Sequence, residues 1–422
     1  MILRAFSILL LLLPALVLHA QSVKNFMPSK PEDAGFSTSR LAHIDNLLEE
    51  QVKNKNIPGA VALIIRNGKI VYHKAFGYSD VDKKNALKKD DIFRIASQTK
   101  AITSLAVMML WEEGKFLLDE PVSKYIPEFN NPKVLKSFNR QDSTFTTEPA
   151  LREITIRHLL THSSGIDYAV IGSAEFKAIY ARAGIPSGIG NDRDVLSAKI
   201  KLLGGMPLKH QPGERWTYGL NTDVLGYLVE IWSGLSFDQF LKTRVFDPLG
   251  MDDTFFYLPR NKQNRLVSLH GNRDGKAYKM DSPGYDANDP DYPKLKGTYF
   301  SGGAGLSSTV EDYAKFLQLF LNHGEFNGSR LLSRKTVELM LTDQLPDFDN
   351  EFGLGFGLET VKNDYRSPVS LGSFSWGGAF STSYWADPKE NLIGLIYTNI
   401  YNNPYGEIAD KFEVLTYQAL VD

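Results

Sequence analysis

The feature that most constrains the fold is an apolar hairpin pattern near the start of the chain. From Ile57 to Tyr78, two strand-like runs flank Asn67-Gly68, a dipeptide typical of tight hairpin turns. More strand-like runs follow near the other end, whereas the region between is mostly helical in pattern. We therefore predict an α+β fold, in which strands from both termini form one antiparallel sheet flanked by helices, with a mostly helical region inserted. The later strands are predicted at residues 353–358, 370–376, 382–386 and 392–398.

The inserted region divides the chain into two lobes. We expect an α/β lobe of residues 31–96 and 297–422 and a helical lobe of residues 97–296, both within one domain of residues 21–422. A cleft between two such lobes is a usual place for a small-molecule site. Its shape is expected to come from loops such as 169–190 and 280–296. Helices are predicted at residues 101–113, 153–161, 222–232, 237–245, 310–322, 334–342 and 405–420.

The first twenty residues are typical of a cleaved secretory signal. Arg4 precedes an apolar run over residues 8–18, and Ala20 is the expected last residue of the leader. This run is shorter than the roughly 20 apolar residues that a membrane-spanning helix needs. We expect a periplasmic or secreted bacterial protein without stable membrane insertion once the leader is cleaved. An uncleaved anchor is the alternative.

Charge and composition exclude several functions. The formal net charge of −2 leaves no basic surface, so nucleic acid is not expected as a partner. The absence of cysteine excludes thiol catalysis, disulfides and zinc-thiolate sites. No Gly-x-Ser-x-Gly, His-Glu-x-x-His or Walker motif occurs. His158 and His162 are four residues apart, but no carboxylate stands beside them at ligand spacing, so we expect no metal and no cofactor.

A hydroxyl and an amine stand three residues apart where a strand-like segment becomes a helix. On a helix this spacing puts Ser97 and Lys100 on nearly the same face, so the amine can act as the base that an alcohol nucleophile requires. Unpaired backbone N–H groups at a helix start also favour negative charge. The pattern indicates a serine nucleophile that works without histidine. A serine cap with a solvated lysine is the alternative.

Two further segments carry candidate site residues. Tyr218 lies in a turn before an amphipathic helix, where a nearby ammonium would favour the phenolate and let it exchange a proton with the serine. Core packing is the alternative for this tyrosine, and a helix cap is the alternative for Asn221. Gly377 and Gly378 stand on a predicted strand, where glycine indicates close approach of the backbone to a ligand or a plain bulge. A backbone N–H at this edge could pair with that of Ser97 to bind an oxyanion.

Taken in order, these segments resemble the serine β-lactamase and penicillin-binding-protein superfamily, in its class C β-lactamase-like branch. The resemblance implies a β-lactamase/transpeptidase-like fold with Ser97 as the nucleophile and Lys100 as the base or its proton partner. It implies Tyr218 as the second acid/base and the N–H groups of Ser97 and Ala379 as the oxyanion hole. The matching segments are residues 93–100, 117–122, 156–165, 212–226 and 301–306.

Two departures from the β-lactamase pattern indicate the substrate. Leu220 replaces the asparagine of Tyr-x-Asn, so the amide that would hold an acylamino group is missing unless Asn221 supplies it. Trp376 replaces the lysine of the Lys-Thr-Gly strand, and an indole offers one neutral donor and a flat apolar face in place of a positive charge. Trp376, Gly377 and Gly378 are therefore expected to bind a neutral substrate. Both departures are similar to the carboxylesterase members of the branch.

The leading hypothesis is an exported carboxylesterase that cleaves small acyl esters through an acyl-enzyme on Ser97. Its expected partner is a small-molecule ester or amide substrate. The first alternative is a β-lactamase or a D-amino-acid peptidase acting on β-lactams or peptidoglycan-like peptides. The second is a non-catalytic binding protein with the same fold, against which the intact set of Ser97, Lys100 and Tyr218 argues.

Overall fold

The computed structural model describes residues 26–191, 193–281 and 289–422. The predicted leader, residues 1–20, lies outside these ranges. Within them, no helix has the length and apolar character that crossing a membrane requires.

An eight-stranded sheet lies at the centre of the molecule. Its main path runs β1-β3-β2-β16-β15-β14-β13, and β4 pairs with β3. All neighbours along this path are antiparallel except the two-residue edge strand β1, which pairs parallel to β3. The strands of the chain are β1 (Met27–Pro28), β2 (Gly59–Arg66), β3 (Lys69–Asp80), β4 (Asn85–Ala86), β5 (Phe93–Arg94), β6 (Lys133–Phe138), β7 (Phe145–Pro149), β8 (His270–Arg273), β9 (Lys276–Lys279), β10 (Ser307–Ser308), β11 (Glu325–Phe326), β12 (Ser329–Arg330), β13 (Gly357–Leu358), β14 (Phe374–Gly378), β15 (Thr382–Asp387) and β16 (Leu392–Tyr397).

The sheet joins the two ends of the chain, as predicted. Strand β2 pairs with β3 on one side and with β16 on the other, so the N-terminal hairpin continues directly into the C-terminal strands. Asn67 and Gly68 form the hairpin turn with positive φ angles of 53° and 72°, the conformation that this dipeptide favours. The predicted α+β fold with a sheet built from both termini is confirmed, and the parallel edge strand β1 is an addition to it.

Helices cover both faces of the sheet. Residues 61, 63 and 65 of β2 face the core shared with α2 and α9, whereas residues 60, 62 and 64 face α1 and α11. Burial on both faces explains why β2 is apolar from its start to Ile65, just before its last residue, rather than alternating. The helices are α1 (Thr38–Lys53), α2 (Thr99–Glu112), α3 (Ile156–Leu160), α4 (Ala174–Ala183), α5 (Leu196–Gly204), α6 (Asn221–Ser233), α7 (Phe237–Leu241), α8 (Asp247–Leu249), α9 (Val310–Leu321), α10 (Arg334–Met340) and α11 (Ile408–Tyr417).

Several predicted elements differ from the structure in extent or type. The expected loop at 169–190 contains α4, and the inserted region includes two hairpins, β6–β7 and β8–β9. The helix predicted at 237–245 ends at Leu241 and continues as a π-helical turn over Lys242–Phe246. The strand predicted at 353–358 is reduced to β13, because Gly355 turns the chain with a φ of 102°. Part of the expected loop at 280–296, residues 282–288, lies outside the described residues.

Candidate active site

Ser97 lies in a 3₁₀ turn over Ala96–Gln98 that leads into α2. The helix predicted to carry Ser97 therefore begins just after it, at Thr99. Ala96 has a φ of 43°, a left-handed conformation that costs a residue with a Cβ atom roughly 1–2 kcal/mol. Such a conformation persists only where the surroundings impose it, and it is commonest at functional sites. Ser97 is half-buried, whereas every residue of α2 from Thr99 to Leu110 is buried.

Lys100 is 2% exposed, and three oxygen atoms accept hydrogen bonds from its amine. The Nζ atom is 3.4 Å from Ser97 Oγ, 2.8 Å from the Tyr168 hydroxyl and 2.7 Å from the Gly303 carbonyl oxygen. The structure thus brings Ser97 and Lys100 together as the spacing predicted. The three acceptors fix the amine beside the nucleophile, because each uses one of its N–H groups.

Tyr218 lies on the other side of Lys100. The Nζ atom is 4.5 Å from the centroid of the Tyr218 ring, so the ammonium contacts the π face of the ring. The rings of His162, Tyr168 and Trp216 surround Tyr218 at centroid distances of 5.0, 5.4 and 5.8 Å. Tyr218 is half-buried at the edge of the main core, beside Lys100.

Sequence reasoning missed two groups that contact Lys100. Tyr168 is 5% exposed and follows the predicted 156–165 segment, but nothing in the pattern distinguished it from the other eighteen of the nineteen tyrosines. Gly303 belongs to the 301–306 segment, whose resemblance to a family motif was noted without a role for its carbonyl group. Both contacts are long-range in sequence, so only the fold could reveal them.

The glycine-rich turn at 301–306 packs tightly against the start of α6. A Cβ atom on Gly302 would lie 2.3 Å from the Thr222 carbonyl oxygen, and one on Gly303 would lie 2.5 Å from Asp223 Oδ2. Neither position has room for a side chain. The Ala304 N–H donates to Ser301 Oγ at 3.1 Å, which closes the turn. The two glycines therefore allow the turn to present the Gly303 carbonyl to Lys100.

The end of β14 approaches the nucleophile turn closely. A Cβ atom on Gly378 would lie 2.4 Å from the Ile95 carbonyl oxygen, whereas one on Gly377 would meet only the Thr382 carbonyl oxygen at 3.4 Å. Gly378 thus allows close approach, as predicted, but the partner is the backbone two residues before Ser97 rather than a ligand. The next residue along, Ala379, is exposed at this edge.

Aromatic rings cluster beside the Ser97–Lys100 pair. Trp376 is half-buried on β14, and its ring lies 5.8 Å from Tyr218 and 5.3 Å from Phe352. Trp216 stacks on Tyr218 with an interplanar angle of 21°. We call these four residues, Trp216, Tyr218, Phe352 and Trp376, the aromatic wall. The predicted substrate-binding Trp376 is therefore beside the candidate acid/base.

A family model for beta-lactamases matches residues 44–418. The chain belongs to the beta-lactamase family. Esterase EstB of Burkholderia gladioli is 30% identical over 379 residues, which cover 86% of this chain and 91% of that protein. EstCE1, a hydrolase with promiscuous acyltransferase activity, is 25% identical with a TM-score of 0.77 and covers 90% of this chain and 99% of its own.

A second solved structure agrees with this assignment. Simvastatin synthase (LovD) from Aspergillus terreus is 26% identical, with a TM-score of 0.74 over 90% of this chain and 98% of that chain. The fold is therefore the β-lactamase/transpeptidase-like fold. As a beta-lactamase family member with esterase relatives, the protein is a serine hydrolase that works through an acyl-enzyme.

Asn221, one of the residues predicted to bind substrate, is fully buried. Asn221 is 0% exposed and begins α6. Its Oδ1 accepts a hydrogen bond from Ser164 Oγ, and its Nδ2 donates to His162 Nδ1 at 3.0 Å. Both ends of the amide are thus used inside the protein, so the expectation that Asn221 contacts substrate is wrong. The cap alternative is also wrong, because Leu220 occupies the N-cap position.

His158 and His162, the two histidines considered as metal ligands, form hydrogen bonds within the protein. His158 Nδ1 accepts the Thr155 N–H at 3.1 Å and completes a capping box at the start of α3. Burial holds the pKa of His162 well below its usual range, and the charge of Lys100 lowers it further. His162 is therefore a neutral ring beside Tyr218. No cluster of three or more metal-ligating side chains occurs among the residues that the structure describes.

Proposed function

We propose that the protein is an exported carboxylesterase that hydrolyses small neutral acyl esters through an acyl-enzyme on Ser97. The observation that carries the proposal is the aromatic wall beside the Ser97–Lys100 pair. Where a β-lactamase would place a lysine to attract the substrate carboxylate, this cleft has the half-buried indole of Trp376. Neutral rings favour apolar groups and offer no ion pair to a carboxylate.

The proposed reaction has two stages. Ser97 Oγ attacks the ester carbonyl carbon, and its proton passes to the Lys100–Tyr218 pair. The oxyanion that forms is bound by the N–H groups of Ser97 and Ala379. When the bond to the leaving oxygen breaks, the same pair returns the proton to the departing alcohol. A water molecule then attacks the acyl-enzyme and gives a proton to the pair; as the bond between the acyl carbon and Ser97 Oγ breaks, the pair returns that proton to Ser97, and the acid is released.

Support for Lys100 as the central proton carrier comes from its contacts. The amine donates to the serine hydroxyl on one side and contacts the Tyr218 ring on the other, so it lies between the nucleophile and the second proposed acid/base. Burial of Lys100 keeps water from competing for these contacts. Esterase EstB supports the choice of an ester as the substrate class.

The test compares hydrolysis of p-nitrophenyl acetate with cleavage of a chromogenic cephalosporin. We expect ester turnover that Ser97→Ala abolishes, with little cephalosporin cleavage. The matched control is Ser123→Ala, a serine in a surface turn between α2 and β6 that should leave both rates unchanged. Both variants should retain the wild-type melting temperature, so that a lost rate reports chemistry.

The outcomes separate the alternatives. Cephalosporin cleavage at a rate similar to that of the ester would favour the β-lactamase or peptidase alternative. If neither substrate is cleaved and a fluorophosphonate does not label Ser97, the result would favour a non-catalytic binding protein. Export is tested separately by the N-terminal mass of the protein recovered from its native cells, which we expect to begin at Gln21.

A further inference from the structure

Asp223 is a buried carboxylate that the proposed reaction does not use. It lies in the first turn of α6 and is 0% exposed. Ser301 Oγ donates a hydrogen bond to its Oδ1 at 2.7 Å, and the Tyr299 hydroxyl is 3.5 Å from the same atom. Removing a carboxylate from water is costly unless hydrogen bonds or an opposite charge compensate. The start of α6 supplies part of that compensation through its dipole.

The carboxylate and Lys100 contact the same residue, Gly303. Lys100 donates to the Gly303 carbonyl oxygen at 2.7 Å. A Cβ atom on Gly303 would lie 2.5 Å from Asp223 Oδ2 and 3.3 Å from the Tyr168 hydroxyl. A single glycine thus separates the buried carboxylate from the buried ammonium and its phenol partner.

Ser301 connects Asp223 to the shape of the turn. Its hydroxyl oxygen donates to Asp223 and accepts the Ala304 N–H, so one side chain joins the carboxylate to both ends of the short segment that contains Gly303. Since Gly303 supplies an acceptor for Lys100, the position of the amine depends on this segment. Asp223 therefore holds the turn through Ser301.

We propose that Asp223 is a positioning residue whose buried carboxylate, through Ser301, holds the glycine-rich turn against Lys100. The inference rests on the proposed roles of Ser97 and Lys100. Burial raises the pKa of Asp223 to about 6, while the Ser301 hydrogen bond and the charge of Lys100 lower it.

Other titratable groups also face this pair. Tyr168, Tyr218 and the neutral His162 face Lys100, and Tyr299 faces Asp223. Burial and the Asp223 charge raise the pKa of Tyr299 well above its usual range, so it is a neutral phenol. Two neighbouring carboxylates are paired with lysines and are compensated locally: Asp167 with Lys209 at 3.0 Å, and Asp194 with Lys199 at 3.2 Å.

The test measures how the rate of Ser97 labelling by a fluorophosphonate depends on pH, alongside kcat/KM for p-nitrophenyl acetate. Asp223→Asn keeps the shape and removes the charge. We expect the wild-type labelling rate to fall as Asp223 gains its proton near a pH of about 6, and we expect this acid-side step to be absent from the Asp223→Asn profile, because an amide does not titrate there. We also expect kcat to fall roughly tenfold with KM little changed.

Two further variants supply a control and an independent test. Asp312→Asn removes another buried carboxylate, on α9, and should leave the pH profile unchanged. Ser301→Ala keeps the Asp223 carboxyl but removes the hydrogen bond that favours its charged form, so the acid-side loss of labelling should begin at higher pH. If Asp223→Asn does not fold, Ser301→Ala by itself tests the inference.

An unchanged pH profile in both Asp223→Asn and Ser301→Ala would overturn the inference, whatever their melting temperatures. Equal displacement in Asp312→Asn would also overturn it, since any buried carboxylate would then do the same. Absence of labelling in the wild-type protein is a different result. It would reject the proposed role of Ser97 before the variants are compared.

Discussion

The wall of the proposed site that carries Lys100 is closed by hydrogen bonds, whereas the wall that carries Trp376 consists of aromatic rings, three of which are only half-buried. On the first wall, the Lys100 amine has three oxygen acceptors, and the glycine-rich turn has no room for added atoms. On the second, Trp376 and Tyr218 meet by ring contacts without a hydrogen bond between them.

The two walls have different roles in the proposed reaction. Proton transfer requires atoms held within hydrogen-bond distance, and only a fully bonded, buried network can hold a lysine amine in one place. Substrate recognition by apolar contact tolerates small shifts, because dispersion and burial depend weakly on direction. Changes on the first wall and at Tyr218 should therefore affect kcat, and changes at the other rings of the second wall should affect the choice of substrate.

The largest effect is expected where the second wall meets the first. In Gly378→Ala, the new Cβ atom would lie 2.4 Å from the Ile95 carbonyl oxygen, so β14 and the Ser97 turn must move apart. Displacing one oxyanion donor typically costs about 100-fold or more in kcat. Stopped-flow acylation by p-nitrophenyl acetate measures this loss of rate. Gly377→Ala is the matched control, since its Cβ atom meets an ordinary contact at 3.4 Å and should change kcat less than about twofold. Similar losses in both variants would refute the close-approach argument.

Tyr168→Phe should have the next largest effect. It removes the hydroxyl that accepts a hydrogen bond from Lys100 at 2.8 Å and keeps the ring. A hydrogen bond to a charged group is worth about 1.5–3 kcal/mol, so kcat/KM should fall roughly 10- to 100-fold. Steady-state ester hydrolysis measures the change, with Tyr72→Phe as the control: a buried tyrosine on β3 that packs in the core on the α1 side of the sheet and donates its hydroxyl to Asp45. Equal rates for Tyr168→Phe and the wild type would show that the contact is not used.

Trp376→Lys tests the second wall. An ammonium at this position restores the charge that attracts a carboxylate, so cephalosporin cleavage should rise several-fold while ester hydrolysis falls by a similar factor. The measurement is the ratio of the two kcat/KM values. Trp376→Phe keeps a neutral ring and should leave that ratio near the wild-type value. A ratio that moves equally in both variants would mean that ring size, rather than charge, decides the substrate.

The smallest effect concerns stability. Burial raises the pKa of Asp223 from its usual 3.8 to about 6, so its charged form destabilises the fold by about 3 kcal/mol above that pH. The unfolded chain loses this proton near pH 4 and the folded protein near pH 6, so wild-type stability falls as pH rises across that interval. Asp223→Asn lacks this titration. Its melting temperature relative to the wild type should therefore rise by on the order of 3 °C between pH 4 and pH 7, measured by calorimetry. A constant difference would contradict the buried charge.

The sequence predicted the fold more completely than the site. Strand and helix patterns repeat over many residues, so the sheet joining both termini could be read from Ile57–Tyr78 and the C-terminal runs. Helix α4 and the hairpins of the inserted region were missed because their patterns are short. Ser97 and Lys100 were found since local spacing alone brings them together. Tyr168 and Asp223 were not, because folding brings them to Lys100 from distant parts of the chain.

By itself, the sequence determined the sheet, the serine-lysine pair and the replacement of a cationic strand residue by Trp376. These depend on local periodicity, a three-residue spacing and the identity of a single side chain. Only the tertiary structure decided that both ends of the Asn221 amide form hydrogen bonds inside the protein, with Ser164 and His162. It also decided that Gly303 lies between the Lys100 amine and a buried carboxylate. Hydrogen bonds between distant segments form when packing excludes water from both partners, and a sequence pattern does not specify which partners those are.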